Sequence, residues 1–143
     1  MLKIYTDASV ATDGRGVATC VVVDEHMFIG HKITNLRNIR TSLQGELEGA
    51  IAAIKYTMEA TKIVSGILYT DSMSLVNLVQ LDLSKSNNKQ ALLHKDRLQV
   101  LQKLLLECNI CIERITGHSK NHNPNKVVDL ISNSVLRYER LTL

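Results

Sequence analysis

Apolar positions recur along this chain first every second residue and then every third or fourth, so the sequence divides into strands followed by helices. Residues 2–7 are short, apolar and β-prone, as a central strand would be. Residues 8–15 are small, polar and Gly-containing, the composition of a turn. The Val-rich stretch 16–23 and the stretch 27–34 predict two more strands. The link Asp24-Glu25-His26 between them is so short that they should pair antiparallel. Leu43, Leu47, Ile51, Ile54 and Met58 then recur at helical spacing and predict a helix over 42–62, capped by Thr41 or Ser42, with Gly66 just past its end. A fourth strand over 67–70 runs into Asp71-Ser72, and a helix follows over about 74–81. After a polar break at 84–89, an amphipathic helix over 90–107 carries Leu93, Leu98, Leu101, Leu104 and Leu105. Ile110, Ile112 and Ile115 mark a fifth strand. Residues 117–125 form a polar loop around the only proline, Pro124, and 126–140 close the chain as a helix.

The order β-β-β-α-β-α-α-β-α, with hairpins first and crossovers after, predicts an α/β fold with a mixed sheet flanked by helices. No Gly-, Ser- or Pro-rich linker divides it, so residues 1–143 are expected to form one domain, long enough to bury a real core.

Charge and composition narrow the function classes. The net charge of +3 permits contact with phosphates without demanding it. With no Trp, one Phe and four Tyr, the chain is poorly equipped to stack single-stranded bases on aromatic rings. Its opening residues lack the apolar core of a signal peptide, and no apolar run nears the roughly 18 residues of a membrane span. The expectation is a cytoplasmic protein with no membrane partner. Cys108 and Cys111, followed by His118 and His122, have the outline of a Cys2His2 site. Only six residues separate the pairs, where zinc fingers usually place about twelve, so buried free thiols are expected and no structural zinc.

Asp7 and Asp71 each end a predicted strand, at the sheet edge where α/β proteins gather ligands, and each precedes a small hydroxyl residue, Ser9 or Ser72. Carboxylates brought together repel unless a cation neutralises them, and hard divalent ions with oxygen ligands do that. By spacing alone each Asp is better explained as a turn or helix-cap residue.

Four motifs in order carry a resemblance. Ile4-Tyr5-Thr6-Asp7-Ala8-Ser9 with Gly14 and Gly16, Glu46-Leu47, Leu68-Tyr69-Thr70-Asp71-Ser72, and Gly117-His118-Ser119 with Asn125-Lys126-Val127-Val128-Asp129 resemble the type 1 ribonucleases H. Together they span nearly the whole chain. The resemblance implies the five-stranded ribonuclease H-like fold and a metal-dependent endoribonuclease that cuts the RNA strand of RNA–DNA hybrids. By carry-over, Asp7, Glu46, Asp71 and Asp129 would hold two Mg²⁺ ions, with Mn²⁺ as a substitute, and His118 would assist proton transfer or strand release. Ser9, Ser42, Gln44, Ser72 and Asn125 would contact substrate.

Glu46 competes with Glu48 for the role of helix acid. The two lie about 200° apart on a helix, so only one can face the site. Glu48 shares its side with Lys55, Glu59 and Lys62, which reads as a solvated face. Glu46 shares its side with Gly49, Ala50 and Ala53, small residues that permit a close approach, and is the choice.

Some features depart from the family pattern. The paired Asn often found before the helix acid is replaced by Thr41-Ser42-Leu43-Gln44, and the Gln after the third acid and its Ser by Met73. The basic, Trp-rich insertion of some members is absent. Lys85, Lys89, Lys95 and Arg97 remain there, so a weaker grip on substrate is expected. Two other readings stay open. One is a catalytically weak or inactive nucleic-acid-binding module, though clustered acids oppose binding a polyanion. The other is a DNA nuclease of the same fold. Oligomeric state is left open.

Overall fold

The computed structural model describes residues 1–25, 27–62 and 65–115. The loop expected over 117–125 and the helix over 126–140, with His118, Asn125 and Asp129, lie outside the described residues. So does His26.

Five strands form one sheet: β1 (Leu2–Val10), β2 (Gly16–Asp24), β3 (Met27–Leu36), β4 (Gly66–Thr70) and β5 (Ile110–Arg114), in the order β3-β2-β1-β4-β5. The two hairpin pairings are antiparallel, as their short links require, while β4 pairs parallel with β1 and β5 parallel with β4. β1 is therefore the central strand. It runs three residues past its predicted end, because Ala8, Ser9 and Val10 continue the ladder against Ala18, Val17 and Gly16 of β2. Asp7 consequently stands inside a strand, not at its end. The turn shrinks to the residues around Gly14, whose φ of +89° is a conformation that favours glycine.

The helices among the described residues are α1 (Ser42–Ala60), α2 (Met73–Val79), α3 (Lys89–Leu93) and α4 (Lys95–Glu107). Thr41 caps α1, its hydroxyl accepting from the Gln44 N–H at 3.1 Å. α1 lies against β1 and β2, and a Cβ on Gly49 would meet the Ala18 Cβ at 3.1 Å, so glycine sets that close approach. Leu47, Ile51 and Ile54 point into the core as expected. The stripe then continues through Thr57 instead of Met58, which is half exposed. Thr57 sits comfortably inside because its hydroxyl donates to the Ala53 carbonyl at 2.7 Å. α4 packs beside α1 and buries Leu98, Leu101 and Leu105 in the same core as Leu2, Ile4, Val22 and Leu68. None of the described helices is long and apolar enough to cross a membrane.

The helix predicted over 90–107 is two. His94 takes φ −110° and ψ 19°, outside helical values, so α3 and α4 have separate registers. Ala91 faces inward while Leu93, expected in the apolar stripe, is exposed. The cysteines also divide. Cys20 and Cys108 are buried, the Cys20 thiol being pushed up to about 11 by burial, whereas Cys111 is exposed, against the expectation that all would be inside.

Gly66 does not terminate the first helix. Thr61, in extended conformation, closes α1, and Gly66 opens β4 opposite Leu2. A Cβ there would sit 2.6 Å from the Leu2 carbonyl oxygen, a backbone atom that cannot turn aside. Gly66→Ala should therefore destabilise the protein by about 1–3 kcal/mol, the usual range for overpacking, as read from urea unfolding midpoints. An unchanged midpoint would mean that β4 has slack against β1.

Candidate metal centre

The β1–β4 ladder ends at Tyr5↔Tyr69. Two residues farther on in sequence stand Asp7, still within β1, and Asp71, just past the end of β4. Here β1 continues without β4 beside it in the ladder, and the Ala8 N–H donates to Glu46 Oε1 at 3.3 Å. That bond brings the α1 carboxylate to the strand. One carboxylate oxygen each from Asp7, Glu46 and Asp71 lies within 4.8 Å of the others. Asp7 is 3% and Glu46 8% exposed, while Asp71 is open to solvent. Three carboxylates at such separations repel one another strongly where two of them are shielded from water. A divalent cation fits this donor set: all oxygen, anionic and convergent.

Glu48 points elsewhere. Its carboxylate takes both arms of the Arg97 guanidinium from α4, at 2.7 and 2.8 Å, so it ties two helices together and is not simply solvated. The pairing raises the Arg97 pKa, chiefly through the hydrogen bond to Glu48. It also occupies one of the cations expected to meet phosphate.

Beside the centre lies a cleft of about 770 Å³ whose walls include Glu46, Asp71, Ser42 and Ser72. Ser42 is thus placed where a substrate contact was expected. Ser72 is there too, but its hydroxyl accepts from the Leu75 N–H at 3.2 Å and caps α2. Gln44 does not line the cleft; its Oε1 accepts from the Arg40 N–H at 2.9 Å and fixes the entry to α1. Ser9 continues β1 beyond Asp7, opposite Val17, and does not line the cleft either. Asn77, Asn88 and Gln90 do line it, and sequence reasoning missed all three. Asn88 carries a local signal as the cap of α3, with its Oδ1 accepting from two backbone N–H groups. Only the fold shows that it faces the cleft.

At the last pair of the β1–β4 ladder the Tyr5 and Tyr69 rings stack, with centroids 5.1 Å apart and planes 19° from parallel. Burial, then the neighbouring Tyr69, raises the Tyr5 phenol pKa. Burial, then Glu113 on β5, raises that of Tyr69.

Comparison with known proteins identifies the family and the fold. A family model described as RNase H matches residues 1–137. RNase H1 from the halophilic archaeon Halobacterium salinarum superposes with a TM-score of 0.75 at 16% identity, covering 95% of this chain and 97% of that one. LC11-RNase H1, in complex with an RNA/DNA hybrid, gives 0.70 at 20% identity, covering 95% and 99%. The protease-reverse transcriptase of prototype foamy virus gives 0.72 at 20% identity over 93% of this chain and 20% of that one. No curated protein matches the chain.

Proposed function

The chain belongs to the RNase H family of hydrolases, and from that premise we propose that it is a metal-dependent endoribonuclease, one domain over residues 1–143, cutting the RNA strand of RNA–DNA hybrids. The observation that carries this reading is the convergence of Asp7, Glu46 and Asp71 from β1, α1 and the end of β4. With Asp129 they would hold two divalent ions, Mg²⁺ or Mn²⁺. Such ions, when bound, generate the attacking hydroxide and neutralise charge on the scissile phosphate and the departing 3′ oxygen.

The chain's own residues do the rest. Asp7, fixed inside a strand, and Glu46, bonded to the backbone of that strand, would hold their carboxylates in place before substrate arrives. Asn77, Asn88 and Gln90 supply donors along the cleft, replacing part of what the missing Asn pair and Met73 withhold. Ser42 would join them there. Ser9, Ser72, Gln44 and Asn125 are weaker candidates for substrate contact, Ser72 and Gln44 because each already serves a helix start. His118 would move a proton or help release the cut strand.

The neighbour holding an RNA/DNA hybrid supports the substrate class. A labelled sequence offered as hybrid, duplex RNA, duplex DNA and single strand tests the reading. Cleavage of the hybrid's RNA strand alone is expected, with affinity falling steeply as salt rises, because phosphate contacts dominate the grip. Cleavage of duplex DNA would instead make the protein a DNA nuclease. Binding without cleavage in Mg²⁺ or Mn²⁺ would make it a binding module.

A further inference from the structure

α2 has only seven residues, too few to be stable alone, so its place in the molecule is set by what it touches. Ser72 closes its first turn, the hydroxyl accepting from the Leu75 N–H. At the other end the chain tightens. The Asn77 carbonyl accepts from the Gln80 N–H at 3.3 Å, and the Leu78 carbonyl from the Leu81 N–H at 3.2 Å. The Val79 and Leu81 carbonyls are met by a distant side chain: both accept from Nε2 of Gln102, at 2.8 and 2.9 Å. Two acceptors fix which way that amide faces, since only its NH₂ end can donate twice. Gln102 stands on α4 beside Leu101, which lies in the core. Leu75 and Leu78 also anchor α2 in that core, but apolar contacts are not directional. Two hydrogen bonds from one amide are, and they resist both sliding and rotation of the helix end.

The end that Gln102 holds belongs to a wall of the cleft. Ser74, Asn77 and Leu78 of α2 line it together with Ser42 of α1 and Gln90 of α3, whereas Gln102 does not. We propose that Gln102 is a positioning residue for substrate: by clamping the end of α2 it sets where Asn77 meets the hybrid. The proposal rests on the substrate reading above. A hydrogen bond weakens steeply once donor and acceptor are misaligned, so a wall that shifts loses grip even with its side chains intact. The clamp's two bonds run to the end of α2, while Asp7 and Glu46 stand on β1 and α1. Losing it should therefore weaken substrate binding and leave the chemical step nearly unchanged.

The test uses the full chain below its melting temperature. Hybrid binding is read in Ca²⁺ by fluorescence anisotropy, and single-turnover cleavage in Mg²⁺ at saturating protein. Gln102→Met keeps the length of the side chain and loses both donors. It should raise the Kd for the hybrid about tenfold and leave the saturating rate within about threefold of wild type. Gln102→Lys can donate to the same two carbonyls, so its Kd should lie within about twofold of that of Gln99→Lys, an exposed α4 position that controls for the added charge. A cap of purely structural value would lower the Tm of Gln102→Met without moving its Kd, and that result overturns the proposal. So does a saturating rate that falls as far as binding does, or a Gln102→Lys that binds as weakly as Gln102→Met. If Gln102→Met does not fold, Gln102→Leu is judged by the same criteria. Wild type that binds hybrid without cutting it overturns the catalytic reading alone, and the Kd values then decide the positioning role. Wild type that binds no hybrid overturns the substrate reading and the positioning role with it.

Discussion

Glu46→Gln should reduce single-turnover cleavage of an RNA–DNA hybrid roughly a thousand-fold, about 4 kcal/mol of transition-state stabilisation, while leaving the fold intact. The substitution keeps the size of the side chain and an oxygen that can still accept from the Ala8 N–H, so α1 has no reason to shift. What it removes is one of the negative charges that would hold the ions. Hybrid binding, measured in Ca²⁺, should survive or tighten, because a charge repelling the polyanion is gone. Glu48→Gln should leave the rate within a few-fold of wild type. It weakens the pairing with Arg97, whose side chain is nearly half exposed, so the loss of stability should be small as well. Cleavage lost in Glu48→Gln and kept in Glu46→Gln would mean that the wrong face of α1 has been assigned to the site.

The second large effect is on stability. Metal binds the folded centre and not the unfolded chain, so at about 100 times its dissociation constant Mg²⁺ should add about 2.7 kcal/mol. For a chain of this length that is a rise in Tm of roughly 5–10 °C over the same protein in chelator. Asp71→Asn should invert the order. In chelator it should melt at or above wild type, since one of three crowded charges has been neutralised, and in Mg²⁺ it should melt below. Differential scanning calorimetry in the two buffers decides the matter. An equal Mg²⁺ shift in both proteins would show that the ion acts elsewhere.

The legible part of this molecule was whatever local periodicity governs. Five strands, the long first helix and the antiparallel hairpins follow from apolar spacing and short links. Glu46 was separable from Glu48 because Gly49, Ala50 and Ala53 mark the side of α1 that meets the sheet. Partnerships between distant segments were not legible. Nothing near Glu48 announces Arg97, and nothing near Asn77 or Gln90 announces a cleft, because each depends on how α2, α3 and α4 settle against α1. The break at His94 escaped for the opposite reason. Its neighbours are good helix formers, and local preference yielded to packing. Gly66 was misread as a helix stop because a glycine needed for close strand approach looks the same in sequence as one that ends a helix.

The order in which the carboxylates occur along the chain bears on how the protein is made. Asp7 and Glu46 belong to segments made before β4, namely β1–β3 and α1, whose sheet pairings are between sequence neighbours. Asp71 joins them only when β4 docks parallel to β1, a pairing that closes a loop from Leu2 to Gly66 and that a hairpin cannot shortcut. Folding steps that bring together such remote segments are slow. A nascent chain whose β4 is still within the ribosome therefore carries two of the three acids and no third ligand. The third described ligand arrives with β4, so these three carboxylates meet only once that parallel pairing has formed.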